Sequence, residues 1–555
     1  MKWIRKIIPV LIFIFLTGSV AAQRTNGLFL NDSLSFNGYT LFAPINYTHT
    51  YLIDNCGLKV NEWESAYKPG LSAYLLENGN LLRTIRVAGT VFVSGGSGGG
   101  MEIHDWNGNL KWRYLYSENF VDHQHHDVEY LPNGNILLIA WEYMTMEEAI
   151  EAGRDSSLLS TSFWPDKIVE IKPIGTDSME TIWEWHAIDH TIQDFDSTKN
   201  NYGVVAEHPE LIDINYYTAL NPDWLHTNGV DYNPELDQII LSVRNHSELW
   251  VIDHSTTTAE AAGHTGGKSG KGGDILYRWG NPQTYDRGTS DDRVFYAQHD
   301  ANWIPKGLPN AGKIMVFNNG RGMSFNMFSA INRIDPPVDA SGDYTLEQGA
   351  AFGPDGLDWS YQTGVSFYSP NISGSQYLPN GNTLICEGSK GHFFEVNEIG
   401  QKLWQYISPV SFGGPVSQGT MMTGQNAVFR AYRYAPDYPA FTDKDLSPDN
   451  PVELNSIASD CEIYDDLVSI DEVEINQNIK IYPNPVSDLL KVENSLGESL
   501  YVSLINVTGR LVFQNNFHID QFYININDYS EGMYLLQLYS DEGVFLMNKK
   551  ILIVR

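Results

Sequence analysis

The chain has 555 residues and a formal net charge of −33 at pH 7, a field that repels nucleic acid and anionic lipid and so argues against either as a partner. Three cysteines, Cys56, Cys386 and Cys461, are too few for a disulfide framework and the wrong number for a zinc cluster, and allow one bridge at most. The length exceeds one ordinary domain and points to one large architecture with additions.

The first element is "MKWIRKIIPVLIFIFLTGSVAAQ". Lys2, Arg5 and Lys6 precede an apolar run from Ile7 to Leu16, and small residues follow up to Ala22. That order predicts a secretory signal over 1–22, with a core too short to span a bilayer. No later run is long enough to cross a membrane, so the chain is expected to be exported, with no stable membrane span.

From there a unit recurs. "SAYLLENGNLLRT" (72–84), "DVEYLPNGNILLIA" (127–140), "GVDYNPELDQIILSVR" (229–244), "DANWIPKGLPNAGKIMVF" (300–317) and "GSQYLPNGNTLICE" (374–387) each join an aromatic-bearing strand to an apolar one through a turn. Asn-Gly between β-rich runs is a strong hairpin signal, since both residues tolerate positive φ. A second half ending in tryptophan follows each hairpin, as in "MEIHDWNGNLKWRY" (101–114) and "HFFEVNEIGQKLWQY" (392–406); the fourth copy, 329–362, is looser. Four strands per unit are the mark of a propeller blade. Two fragments remain, "THTYLIDNCGLKVNEWES" (48–65) and "NAVFRAYRY" (426–434). Joined, they make a sixth blade, which predicts an all-β, six-bladed β-propeller over 23–440 closed by N- and C-terminal strands. In an oxidising compartment a Cys56–Cys461 bridge would lock that closure, with Cys386 a buried thiol.

Long inserts such as "HTGGKSGKGGD" (264–274) read as loops, and "VSGGSGGGM" (93–101) as a turn, since it lacks the Lys-Ser/Thr of a phosphate loop. Residues 441–475 are acidic and aperiodic, as expected of a linker. Alternation resumes over 476–555 and predicts a small β-sandwich. Its "YPNP" start, "VTGR" turn and "EGMYLLQL" strand resemble the type A sorting domain of the type IX secretion system, which implies that export machinery as a partner and a secreted or cell-surface location reached through the periplasm.

In a propeller the first strand of each blade lines the central channel. With Tyr74, Tyr130, Tyr232, Trp303 and Tyr377 as reference positions, Gly70, His126, Asn228, His299 and Ser373 stand four residues earlier, on one face of an extended strand. His226, Arg244 and Arg430 lie near the same ring, whereas His123 and His125 read as loop residues on the approach. A single histidine at a channel mouth is ordinarily structural. Three with an arginine offer instead a base or nucleophile and a cradle for an oxyanion. Three His could also hold zinc, but no HExxH-type spacing supports a metal and a neighbouring Arg argues for an anion. The remaining histidines share no register.

The blocks "HHDVEYLPNGNIL", "LHTNGVDYNPELDQIILSVR" and "QHDANWIPKG…GKIMVFNNG" resemble the bacterial arylsulfotransferase family over most of residues 40–436. The resemblance implies a six-bladed propeller that moves a sulfuryl group from a phenolic sulfate donor to a phenolic acceptor through a sulfohistidine, with no cofactor. It implies His299 as nucleophile, His126 and Arg244 as catalytic partners, and His226 and Asn228 at the sulfuryl oxygens, with Arg430 a further substrate-binding candidate. Two other classes fit the repeats: a non-catalytic cell-surface binding propeller, and a quinoprotein-like dehydrogenase, suggested by "DWNGNLKW" (105–112) but ordinarily built from eight such blades.

Overall fold

Each Asn-Gly pair of the repeats closes a hairpin in the computed structural model, with Gly79, Gly134 and Gly381 at φ of 82°, 87° and 86°, where a Cβ would be strained. The structure describes residues 24–323, 327–464 and 479–555, the last without 496, 498, 507–510, 519–520, 528 and 541–544. The signal over 1–22 and the turn over 507–510 lie outside the described residues. The chain divides into two compact units, Met1–Tyr464 and Asp465–Arg555.

Within the first unit the chain forms six antiparallel sheets of four or five strands. Sheet 1 runs Pro69–Leu75, Leu81–Arg86, Gly99–His104, Leu110–Leu115, and sheet 2 runs Asp122–Tyr130, Ile136–Glu142, Asp166–Ile174, Ser178–His186. Sheet 3 runs Thr227–Asn233, Gln238–Val243, Glu248–Asp253, Tyr277–Trp279, and sheet 4 runs His299–Trp303, Ile314–Asn318, Ala330–Ile334, Trp359–Tyr361. Sheet 5 runs Gly374–Tyr377, Thr383–Glu387, His392–Val396, Lys402–Ile407. Sheet 6 pairs Val428–Tyr434 with Tyr39–Pro44, then His49–Ile53 and Lys59–Glu64. The seam between the two ends of the unit is thus a ladder in register from Tyr39↔Tyr434 to Pro44↔Val428.

The outer-strand tryptophans explain the Trp that ends each repeat. Trp63 of sheet 6 donates its indole N–H to the Asp105 carbonyl of sheet 1, and Trp112 of sheet 1 to Ser178 of sheet 2. Trp185 donates to Gly273, Trp279 to Pro354, Trp359 to Glu398 and Trp404 to Asn55. Each sheet is therefore latched to the next, and the sixth to the first. The indoles of Trp63, Trp185 and Trp404 are almost fully buried, so each N–H needs such a partner.

At the inner ends one ionic cluster joins the sheets. Arg430 pairs with Asp127 at 2.5 Å and with Asp300 at 2.9 Å. It also donates to the Asn228 carbonyl at 3.0 Å and the Tyr74 hydroxyl at 3.3 Å. Asp300 in turn accepts from the Ser375 N–H at 2.7 Å. Four inner strands meet the guanidinium carried by a fifth, and Ser375 ties the sixth to it through Asp300. Arg430 is consequently a strut, and its expected role in binding substrate is corrected: both carboxylates consume its charge below the cavity described next.

The structure adds elements that the repeats did not reveal. Tyr39–Pro44 supplies the second strand of sheet 6, and Gly27–Asn31 adds a fifth strand to sheet 5 along Lys402–Ile407. The expected linker 441–475 is packed in its first half: Val452 is buried beside Tyr406 and Phe42, and Leu454 bonds to Val416. The Cys56–Cys461 disulfide is formed, with Cα atoms 5.7 Å apart and a separation of 405 positions in sequence, while Cys386 is a buried thiol. In the second unit, Ile479–Tyr482, Leu489–Asn494 and Gln521–Asn525 form one antiparallel sheet. Leu511–Phe517, Leu500–Asn506, Gly532–Ser540 and Phe545–Ile553 form the other, and both contribute to one apolar cluster that includes Leu490, Val492, Leu504 and Leu536.

Two stability outcomes follow. Arg430→Met leaves two buried carboxylates facing each other and is expected to cost about 3–5 kcal/mol in chemical denaturation, with part recovered on adding Asp127→Asn and Asp300→Asn. Cys461→Ser removes a crosslink that encloses most of the unit, for a loss of about 2–5 kcal/mol, measurable as a lower denaturation midpoint without reductant.

Candidate active site

Where the inner strands begin, their regular pairing breaks. Register shifts fall between Gln124 and Val128, between Thr227 and Val230, and between His299 and Asn302. His126 has φ 53°, His226 φ 53°, Asp300 φ 58° and Ile372 φ 50°. A left-handed backbone is costly for a residue with a Cβ, above all for a β-branched one, and such strain gathers at functional sites. Here the bulges turn side chains off the sheet face toward a cavity of about 710 Å³. His126, His226, Arg244 and His299 line it, together with Arg86, Arg293 and Arg321. Among the described residues no carboxylate lines it, in a chain of net charge −33.

His299 is held in one tautomer. Asn319 donates its amide to the carbonyls of Ser369 and Ile372 at 2.8 and 2.9 Å, so its Oδ1 must accept, and His299 Nδ1–H donates to it at 2.7 Å. The proton is thereby fixed on Nδ1, and the Nε2 lone pair is left to accept from the Ile372 N–H at 3.1 Å. Burial, with Arg244 next, holds the His299 imidazole well below its usual range, so the ring is neutral at pH 7.

The His-rich strand Asp122–Tyr130 resolves into three different environments. His123 and His125 are not loop residues: both lie in Asp122–Tyr130 and are fully buried. His123 bridges Ser117 and Ser97 at 2.8 and 2.9 Å, and burial, with His125 next, pushes it down to about 4. His125 stacks on Trp141 at 4.0 Å and points Nε2 at the Asp166 carboxylate, 3.3 Å away. The Nδ1 atoms of His125 and His126 lie 2.8 Å apart, so one ring donates its Nδ1–H to the other. His126 lines the cavity. Burial, then the neighbouring rings of His226, His125 and His299, keep His126 far below the usual imidazole range. The glycine-rich turn serves this ring: a Cβ at Gly96 would sit 1.9 Å from His126 Cε1, and the Gly96 carbonyl accepts the His126 N–H.

His226 differs from both, because its Nδ1 donates to Asp223 at 2.5 Å. Asp223 also accepts from Ser94 and Trp141 at 2.6 and 3.0 Å. Burial opposes its charge, yet His226 and Ser94 hold its carboxyl below the usual range. The two rings of His126 and His226 meet edge to face at 4.6 Å. Arg244 bonds Asn245 at 2.8 Å, and burial, with Arg321 next, lowers its pKa. Asn228 does not line the cavity. It is fully buried and donates its amide to the Gln298 carbonyl at 2.8 Å, which corrects its expected place at the substrate. Sequence reasoning missed Asn319, Asp223 and the outer arginines. "NNG" after the strand Ile314–Asn318, and the Asp three residues before His226, carried that information only for a reader who knew which loops meet.

Three histidines and an arginine thus converge on a cavity with no carboxylate among its described lining residues, an arrangement chemically able to hold an oxyanion. Residues 77–411 match the arylsulfotransferase (ASST) family, more than half of the chain, and the protein belongs to that family. Residues 480–554 match the secretion-system C-terminal sorting domain, which points to secretion or the cell surface. No helix among the described residues is long and apolar enough to cross a membrane. The chain is 23% identical over 317 residues to the arylsulfate sulfotransferase AssT of Escherichia coli O6:H1, covering 53% of this chain and 50% of that protein. It thus spans about half the length of that relative. Similar solved structures include a protein of unknown function from Bacteroides caccae (11% identity, 72% of this chain and 100% of the other, TM-score 0.37). The β-propeller domain of Myceliophteria thermophila Cps50 (Swd1) is another (10%, 71% and 88%, TM-score 0.32).

The Asn319 contact yields a test independent of turnover. Asn319→Asp puts a carboxylate on His299 Nδ1 and favours the imidazolium, so the pKa of His299 rises. Acylation of His299 by diethyl pyrocarbonate, which needs the neutral ring, should then fall off at a higher pH in Asn319→Asp than in the wild type. Identical profiles would remove Asn319 from the control of this ring.

Proposed function

We propose that the protein is an arylsulfate sulfotransferase that passes a sulfuryl group between phenols by a ping-pong mechanism through a sulfohistidine on His299. The observation that carries this reading is the Nε2 lone pair of a neutral, tautomer-locked His299 beside Arg244, in a cavity lined by guanidiniums and, among the described residues, by no carboxylate. The six latched sheets support reading the first unit as a six-bladed propeller, with the site at one mouth of its channel. The two sheets of the second unit support reading it as a small β-sandwich recognised by type IX export machinery.

In this mechanism the donor's sulfate enters the cationic cavity against Arg244. His299 Nε2 attacks sulfur as the aryl O–S bond breaks, and the aryloxide leaves with the bonding pair. Sulfuryl transfer resembles phosphoryl transfer in spreading charge over equatorial oxygens, so positioned cations supply most of the stabilisation. The Ile372 N–H, released from Nε2 as the N–S bond forms, becomes a donor for one of those oxygens. His126 is a poor source of the proton for the leaving oxygen, because burial keeps it neutral. His226 fits that role: Asp223 behind it offsets the charge the ring carries when protonated. In the second half-reaction an acceptor phenol gives its proton to His226 and attacks sulfur. The N–S bond then breaks and returns the pair to His299.

The experiment is mass spectrometry of the protein after treatment with p-nitrophenyl sulfate alone. A sulfuryl adduct on His299, stable in base and labile in acid, is expected, with loss of adduct and turnover together in His299→Ala. Transfer with sequential kinetics and no adduct would remove the covalent mechanism, and no turnover with phenol present would leave a binding propeller. A pH profile tests the electrostatics. Because His299 is held well below its usual range, donor kcat/KM should stay flat from pH 8 down through 6.5 and fall only at lower pH, where the ring finally protonates. Arg244→Ala should slow both half-reactions by about 10²–10³-fold.

A further inference from the structure

Outside the proposed catalytic cavity, the insert 264–274 closes on itself. Gly272 N–H bonds to Gly266 and Gly273 N–H to Gly263, at 3.0 and 2.9 Å. Its two ends therefore meet, and they carry His264 and Asp274. Both side chains converge on His190, from the short helical turn Ala187–His190. His190 Nδ1 lies 2.8 Å from Asp274 Oδ1, and His264 Nδ1 lies 2.8 Å from the same oxygen. The three ligand atoms fall within 4.8 Å of one another. Close approach is built in at Gly273, where a Cβ would stand 2.0 Å from the Ala261 carbonyl oxygen and 2.6 Å from His190 Nε2.

Counting protons sharpens the point. His190 is fully buried, and its Nε2 lies 2.8 Å from the Ala261 carbonyl oxygen, which only accepts, so Nε2 carries a proton. With Nε2 donating, Nδ1 faces the carboxylate oxygen either as the second N–H of an imidazolium or as a lone pair with a metal cation between them. A second imidazole nitrogen is directed at the same oxygen. We propose that His190, His264 and Asp274 form a binding site for a divalent transition-metal cation of the zinc class, which pins the insert to sheet 2. Two imidazoles and a carboxylate are a zinc-type donor set, and opening the contacts by about half an ångström reaches the ligand spacing of bonds near 2.0 Å. The His190 N–H to a backbone carbonyl is the supporting bond that orients metal-bound histidines. His264 is 60% exposed, which leaves the remaining position to water.

The test is local, because the histidines of the large cavity could also take up zinc. Lys268 and Lys271 lie inside the insert, and Lys268 is 64% exposed, so trypsin can reach it. The chelator-treated full-length protein is digested with and without added zinc. Zinc should slow cleavage at Lys268 and Lys271 in the wild type by tenfold or more and have no effect on these sites in His264→Ala or Asp274→Asn. His264→Ala replaces an exposed side chain and should fold. Protection that is absent in the wild type, that persists in His264→Ala, or that follows pH rather than zinc, as a buried imidazolium would produce, overturns the site.

Discussion

A single guanidinium organises the first unit. Inner strands of the six sheets bring charged and polar side chains together in full burial, where each needs a partner within the protein. Arg430 resolves this by meeting Asp127 and Asp300 in full burial, while Tyr74, Asn228 and Ser375 complete the hydrogen bonds. A buried ion pair adds little net stability over an apolar replacement, yet removing one member is costly. Its value here is specificity of arrangement: four neighbouring strands can satisfy this cation only if they arrive at the correct height. The tryptophan latches at the outer rim impose the same condition from the other side.

The cavity depends on that hub for its charge. Asp127 and Asp300 stand next to His126 and His299 in sequence, so negative charge is never more than one residue from the imidazoles. Arg430 engages both carboxylates below, and the strand bulges turn the alternate side chains upward. Among the described residues the charged and titratable groups of the cavity are therefore His, Arg and one Tyr, although the chain as a whole is strongly acidic. Desolvation then does what the net charge could not: it keeps His126 and His299 neutral, with lone pairs available, while His226 keeps a carboxylate partner of its own. Three histidines in one pocket are in this way made chemically unlike.

The disulfide and the insert 264–274 show the same logic in loops. Neither holds a strand, yet each brings residues far apart in sequence to a fixed contact: Cys461 to Cys56, and Asp274 to His264 and His190. Glycine makes the second possible where any side chain would collide.

Much of this was determined by the sequence alone, and for a local reason. Hairpins are written in adjacent residues, so the Asn-Gly turns, the alternating strands and the terminal tryptophans reveal the repeat. The repeat register picks out His126, Asn228 and His299, and the two orphan fragments predict the joined sixth sheet. The Cys56–Cys461 pairing follows from that joining. What only the tertiary structure decided are contacts between segments with no common register. Asn319 reaches His299 across 20 residues and Asp127 reaches Arg430 across 303, and no periodicity connects them. For the same reason Arg430 and Asn228, both in the correct register, turned out to be committed to buried partners. Position along a strand states which face a side chain occupies, but whether that face opens on solvent or on a neighbouring carboxylate is settled by which strands lie opposite.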